Sequence, residues 1–169
     1  IISLLIPCIL IGSLSFSNII IFQENNWIIF YPVLGQLSFI IFMISALAEG
    51  NRIPFDLSEA ESELISGYTT EYSGIKFALF YLAEYVHLFG ICVLASIIFF
   101  GGPNGPFFTS NILIVIKALM FFTLILFIRW SFFRVRIDQL LKFNWIKLIP
   151  LSFIGLLLAC IVKYYLDFN

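Results

Sequence analysis

Long apolar runs occupy most of this chain and decide what it can fold into. Five of them stand out: Ile1 to about Phe16, Pro32 to Ala48, Phe77 to Phe100, Ile112 to about Ile128 and Trp145 to Tyr165. A helix needs ~20 apolar residues to cross the hydrocarbon core, and lipid leaves helices or closed barrels as the only ways to satisfy the backbone. With 62% hydrophobic residues, 11% charged residues and a mean hydropathy of +1.07, the chain lacks the polar surface to coat a soluble globule. The expectation is an all-α membrane protein of about five transmembrane helices, one membrane domain over residues 1–169, with inner loops 49–76 and 129–147. The first run, broken by Pro7 and Gly12, is short for a span. Gly101 to Pro106 (GGPNGP) ends the third run in a tight turn.

The net charge of −1 conceals a segregation along the sequence. Arg52, Lys76, Arg129, Arg134, Arg136, Lys142 and Lys147 fall on alternate connections of one side, while 17–30 and 101–111 contain no Lys or Arg and the C-terminal stretch has Lys163. The positive-inside rule puts the basic side in the cytoplasm or matrix and the C-terminus outside. Trp27 and Tyr31 sit where aromatic belts meet the interface. Cys8, Cys92 and Cys160 lie far apart inside apolar runs, which suits small buried hydrophobes and no disulfide framework, metal site or iron–sulfur ligand set. Nothing in the charge pattern points to nucleic acid. Residue 1 is Ile with no basic segment before the first run, which does not fit a cleaved signal peptide and leads us to expect a chain that begins partway through a longer protein.

Seven of the ten acidic residues, Glu49, Asp56, Glu59, Glu61, Glu63, Glu71 and Glu84, fall between Glu49 and Tyr85. Pro54 holds Ile53 extended, and Ser58 with Glu61 three residues on forms a capping box for a short helix to about Ser66, stopped at Gly67. Acids in a first helical turn are what the macrodipole favours in any solvated helix, so Glu59 and Glu61 have a plain structural explanation. Glu84 does not. It lies about 10 Å inside the third run, where a charge costs about 2.5–3.5 kcal/mol and needs a partner or a wet cavity. Tyr81, Glu84 and His87 recur at intervals of three, making one polar helix face directed into protein, with His87 most simply a hydrogen-bonded buried histidine. Crowded carboxylates can share protons as coupled sites, the chemistry of a proton path. The plainer reading pairs Glu71, Glu61 and Asp56 with Arg52, Lys76 and the basic loop.

The stretch AEGNRIPFDLSEAESELISGYTTEYSGIKFALFYLAEY (Ala48 to Tyr85) resembles the signature of NADH dehydrogenase subunit 1, the membrane subunit of respiratory complex I beneath the quinone chamber. RVRIDQLLKFNWIKLIPL (Arg134 to Leu151) is similar to that family's second inner-loop signature. The resemblance runs from end to end but covers only the family's C-terminal part. It implies a core subunit of a proton-pumping NADH:ubiquinone oxidoreductase, not catalytic alone, with ubiquinone as substrate at a shared site. NADH, flavin and iron–sulfur clusters would belong to partner subunits; the chain itself lacks a glycine-rich dinucleotide loop and a cysteine cluster. Carried onto matching positions, Glu49, Glu59 and Glu84 would belong to the acidic proton path. Arg52, Phe55, Asp56, Glu61, Glu63, Arg134, Arg136 and Asp138 would form or border the quinone chamber, and Glu71 matches a family acid of less defined role. The implied partners are the quinone-site subunits of the peripheral arm, neighbouring membrane-arm subunits, membrane lipid and a separate chain carrying the N-terminal half. The Ile, Phe and Asn richness fits an AT-biased organellar genome, hence a multi-pass protein of the mitochondrial inner membrane with loops 49–76 and 129–147 on the matrix side.

Two departures from the family pattern are local: His87 stands where Asn or Thr is expected and Phe133 where Pro is usual. An alternative reading is the homologous membrane subunit of an energy-converting hydrogenase-type complex, which co-purification with a hydrogenase large subunit would reveal. A third is a structural membrane scaffold, in which acid-to-amide changes would alter assembly and leave turnover alone.

Overall fold

The computed structural model describes residues 1–24, 26–50, 52, 54–55, 72–105 and 109–168, with side chains through 165. Seven α-helices are described: α1 (Ile2–Ile11), α2 (Phe16–Phe22), α3 (Leu34–Glu49), α4 (Ile75–Phe100), α5 (Asn111–Ser131), α6 (Ile137–Phe143) and α7 (Ile149–Phe168). A 3-10 turn, Ile28–Phe30, precedes α3, and a π-turn, Asn144–Leu148, joins α6 to α7 in one continuous rod. Among the described residues the sole β feature is an isolated bridge between Asn104 and Thr109. The chain is an all-α membrane protein, as expected.

The number of spans differs from the five anticipated. Three helical stretches are long and apolar enough to cross a bilayer, Ile75–Phe100, Asn111–Ser131 and Ile137–Tyr165, and a fourth counts if α1 and α2 form one broken span. These two meet at a bend of 62°, because Gly12 takes the left-handed conformation and its N–H caps α1 on the Cys8 carbonyl at 2.8 Å. The 16 residues of α3 reach only about 24 Å at 1.5 Å each, short of the ~30 Å core. Apolarity alone counts both as full spans. The basic connection expected over 129–147 is mostly helical, since α5 runs to Ser131 and α6 starts at Ile137. Pro150 explains the π-turn: it lacks the N–H that would reach the Ile146 carbonyl and its ring crowds that oxygen, and widening the preceding turn relieves both.

Helices α3, α4 and α5 share one core of Phe42, Met43, Leu47, Leu88, Cys92, Ala95, Ile98, Phe99, Ala118, Phe121 and Ile125. A ring cluster fastens it, with Phe39 edge-on to Phe99 at 5.3 Å and Phe100 edge-on to Phe121 at 4.9 Å. A second core of Ile6, Leu10, Leu34 and Ala159 ties α1 and α7 to the start of α3. Lipid tails are as apolar as these side chains, so helix association depends on close fit. Gly155 illustrates it: a Cβ there would meet Leu37 Cδ2 at 2.9 Å and Ile6 Cδ1 at 3.0 Å.

The entrance to α3 is strained. Val33 has φ +63° and ψ −55°, and the Leu34 N–H donates to the Pro32 carbonyl at 2.7 Å, a γ-turn of the rare hand. It folds α3 back so closely that a Cβ on Gly35 would lie 1.9 Å from the Ile28 carbonyl oxygen. Cys92 is buried, Cys8 half-buried and Cys160 exposed on α7, all three as free thiols, so the expectation of burial fails for Cys160.

Candidate functional site: a basic cleft beside a paired carboxylate

Glu84 enters the site from the first half of α4, one turn from Tyr81 and beside Tyr85. Its partner comes from the end of α3. The Gly50 N–H caps that helix on Ala46, the Arg52 N–H turns back to the Leu47 carbonyl at 3.4 Å, and the Phe55 N–H donates to the Arg52 carbonyl at 2.8 Å. This tight descent throws the Arg52 guanidinium back against α4. Arg52 Nη2 donates to Glu84 Oε2 at 3.4 Å, and the guanidinium carbon stands 4.6 Å from the centre of the Tyr85 ring. The Arg52 and Glu84 side chains are 11% and 23% exposed, so the pair is poorly screened and neither charge tolerates loss of the other. The need for a partner, legible in the sequence, is met, though by Arg52, which the sequence groups with the chamber or with the loop acids.

Glu49 is held far more loosely. His87 Nε2 stands 3.9 Å from Glu49 Oε1, with 52% and 69% of the two side chains exposed, a geometry whose net worth is ~0–1 kcal/mol. His87 is therefore no buried histidine. Its place on the same side of α4 as Glu84 gives a polar edge that is open at one end.

The main chain below Arg52 builds the cleft. The Val135 N–H donates to the Pro54 carbonyl at 3.0 Å, tying the chain after α3 to the extended break between α5 and α6. Between that strap and the α6 rod opens a cleft of about 700 Å³, within the ~300–1,000 Å³ range of small-molecule sites. Phe55, Phe132, Phe133, Phe143 and Ile146 make its apolar wall, and Arg134, Lys142 and Lys147 bring positive charge. Residues 139, 140, 143, 146 and 147 face it together because they recur at helical spacing along one side of the rod.

Of the residues singled out in the sequence, Phe55 and Arg134 line this cleft and Arg52 and Glu84 meet beside it. Arg136 precedes α6 in extended backbone and Asp138 sits in its first turn; both are exposed and neither lines the cleft, and Asp138 there has the macrodipole as sufficient reason. Asp56, Glu59, Glu61, Glu63 and Glu71, with the capped helix expected over 58–66, lie outside the described residues. Sequence reasoning missed Lys142, Lys147 and Phe143, whose one-sided spacing in LLKFNWIK was visible. It also missed a polar knot at the opposite end of α4. There Gln23, wholly buried, donates to the Ile97 and Ile98 carbonyls at 3.2 and 3.0 Å, and Asn104 Nδ2 donates to the Ile20 carbonyl at 2.8 Å. Lys117 Nζ donates to the carbonyls of Phe100, Gly102 and Asn104 at 2.6, 2.9 and 2.6 Å and lies 4.7 Å from the Trp27 ring. A lysine inside an apolar run was the available signal. Among the described residues no three His, Cys, Asp or Glu side chains gather as a metal site would require.

The family model for NADH dehydrogenase matches residues 1–160. Among curated relatives, an NADH-quinone oxidoreductase subunit of Bacillus thuringiensis (strain Al Hakam) is 44% identical over 159 residues, which cover 92% of this chain and 47% of that protein. The corresponding proteins of Bacillus cytotoxicus and Bacillus anthracis are 45% and 44% identical over the same length and share of each chain. The chain spans about half the length of the curated relatives it matches.

Proposed function

The chain belongs to the NADH dehydrogenase family, and on that premise we propose that it forms part of the membrane subunit of a proton-translocating NADH:quinone oxidoreductase. In this reading the cleft between the 54–55 strap and the α6 rod receives the quinone headgroup, with Phe55 and Arg134 on its wall and Arg136 and Asp138 at its rim. Glu84 and Glu49 belong to the carboxylate path that carries protons away from it, together with Glu59. Asp56, Glu61 and Glu63 complete the chamber from the acidic stretch. Ubiquinone is the substrate of a site shared with other subunits; NADH, flavin and iron–sulfur clusters sit on partner chains of the peripheral arm.

One observation carries the reading: an amphipathic cleft of small-molecule size whose wall is hydrogen-bonded close to an arginine that pairs with a carboxylate on a membrane-spanning helix. A flat aromatic-lined wall suits a quinone ring, cations suit its developing negative charge on reduction, and the carboxylate offers the neighbouring proton route. The relatives named above are bacterial, so they lend no support to the mitochondrial inner membrane expected from composition. The proposed location is an energy-transducing membrane, with the positive side of the chain, 49–76 and 129–147, facing the compartment of the peripheral arm.

The test is photolabelling of the intact complex with an azido-quinone. Label recovered on 54–55 and 132–147, and displaced by excess unlabelled quinone, is the expected result. Competable label confined to other parts of the complex would refute the assignment.

A further inference from the structure

We infer that Arg52 is a positioning residue that joins the intramembrane carboxylate to the wall of the cleft: its side chain is the counter-charge of Glu84, and its main chain anchors the strap that closes the cleft. The inference rests on the quinone reading of the cleft for its consequence, and on geometry alone for its first half.

Four contacts in a row make the connection. Arg52 Nη2 meets Glu84 Oε2 at 3.4 Å, the Tyr85 ring braces the guanidinium at 4.6 Å, the Arg52 carbonyl accepts from Phe55 at 2.8 Å, and the neighbouring Pro54 carbonyl accepts from Val135 at 3.0 Å. Phe55 and Val135 both line the cleft. Arg52 and Phe55 are close in the chain, and Pro54 between them has a fixed φ, which narrows the ways the strap can absorb a shift. A stacked, forked cation on one side and a hydrogen-bonded main chain on the other leave little slack. When Glu84 is charged the guanidinium is drawn to α4 and the strap is held down. When Glu84 is neutral that attraction goes, and the arginine and the strap attached to it lose their tether. A ligand that presses on Phe55 acts on the same chain from the other end, because coupling between two sites is reciprocal.

The test reads Glu84 directly and needs no turnover. Carbodiimides attack neutral carboxyl groups in apolar surroundings, so an ion-paired Glu84 reacts slowly. The complex in its native membrane is treated with dicyclohexylcarbodiimide, and the Glu84 peptide is quantified by mass spectrometry with the Glu24 peptide as reference. Arg52→Gln is expected to raise the Glu84 labelling rate about fivefold, or about 1 kcal/mol, while Arg52→Lys, which keeps the charge, stays close to the unsubstituted chain. Equal rates in all three overturn the inference. Where the Arg52→Gln chain fails to accumulate, Glu84→Gln decides: phenylglyoxal modification of Arg52, referred to Arg136, rises on losing the carboxylate, and no rise overturns the inference. A short-chain quinone added to the unsubstituted complex should change Glu84 labelling, and do so no longer in Arg52→Gln. An Arg52-dependent rate with no response to quinone would sink the quinone reading of the cleft and leave the pairing standing, so the two failures are told apart.

Discussion

Replacing Lys117 by Met gives a prediction whose sign is in question, because two effects of similar size oppose each other. Met keeps the aliphatic stem and removes the ammonium. A lysine this far inside an apolar helix costs about 2.5–3.5 kcal/mol on insertion, so a lipid-facing Lys117 would become more stable as Met. In the structure, however, the ammonium donates to three carbonyls at 2.6, 2.9 and 2.6 Å, and one of them, Phe100, belongs to the unsatisfied last turn of α4. Hydrogen bonds from a charged donor are worth about 1.5–3 kcal/mol each, and the 4.7 Å approach to the Trp27 ring adds about 0.5–1 kcal/mol. Even at the low end the lost contacts, about 5 kcal/mol together, exceed the desolvation recovered, leaving Lys117→Met destabilised by at least about 1.5–2.5 kcal/mol. Equilibrium unfolding in detergent micelles measures this, with Trp27→Leu as a companion that removes only the ring. A Met variant as stable as the parent, or more so, would show that the knot is not formed and that the lysine reaches toward the interface instead.

Three further outcomes follow from named contacts. Gly35→Ala places a methyl 1.9 Å from the Ile28 carbonyl oxygen, a backbone atom that cannot swing aside, so protease-resistant chain in membranes should fall steeply, and normal accumulation would contradict the tight turn at Val33. Glu84→Gln strands a part-buried Arg52 and should cost about 1–3 kcal/mol, whereas Glu49→Gln, losing an exposed contact of 3.9 Å, should cost less than about 0.5 kcal/mol; similar unfolding midpoints for the two would erase the distinction. Phe55→Ala, removing an aromatic wall of the cleft, should raise the KM for quinone and leave electron transfer from NADH to a soluble artificial acceptor unchanged, as measured in the complex; an equal loss with both acceptors would place the defect elsewhere.

What the sequence disclosed follows from which forces leave a local trace. Apolar runs carry the energy of membrane insertion, so α4, α5 and α7 were plain from composition while α6 was not, and the burial cost of a lone acid marked Glu84 as a residue needing company. The identity of that company was not legible, because Arg52 and Glu84 are 32 positions apart and the turn that aims the guanidinium depends on backbone hydrogen bonds with no side-chain pattern. Breaks inside apolar runs were equally faint. Gly12 and Pro7 suggested an interrupted first helix, but the 62° bend and the short reach of α3 come from a left-handed glycine and a strained γ-turn at Val33, a residue type whose sequence preference points the other way.

Polar contacts at the two ends of α4 then take on the task that hydrophobicity performs in water. Along the middle of the bundle, Ala95, Ala118 and the phenylalanine cluster let helices approach, yet a helix sliding by one turn would still find apolar neighbours on every side. Gln23, Asn104 and Lys117 forbid such a slide at one end, since moving α4 would strand a buried amide, an ammonium and several carbonyls together. Arg52 and Glu84, with the Pro54 to Val135 hydrogen bond, do the same at the other. The first knot is made of two carboxamides and an ammonium that donate to main-chain carbonyls, with no carboxylate in it. The second is built around an ionisable carboxylate and borders an open cleft, so its strength depends on whether that carboxylate is charged. Loss of the Glu84 charge would therefore loosen α4 on the side that borders the cleft and leave the carbonyl-bonded knot in place.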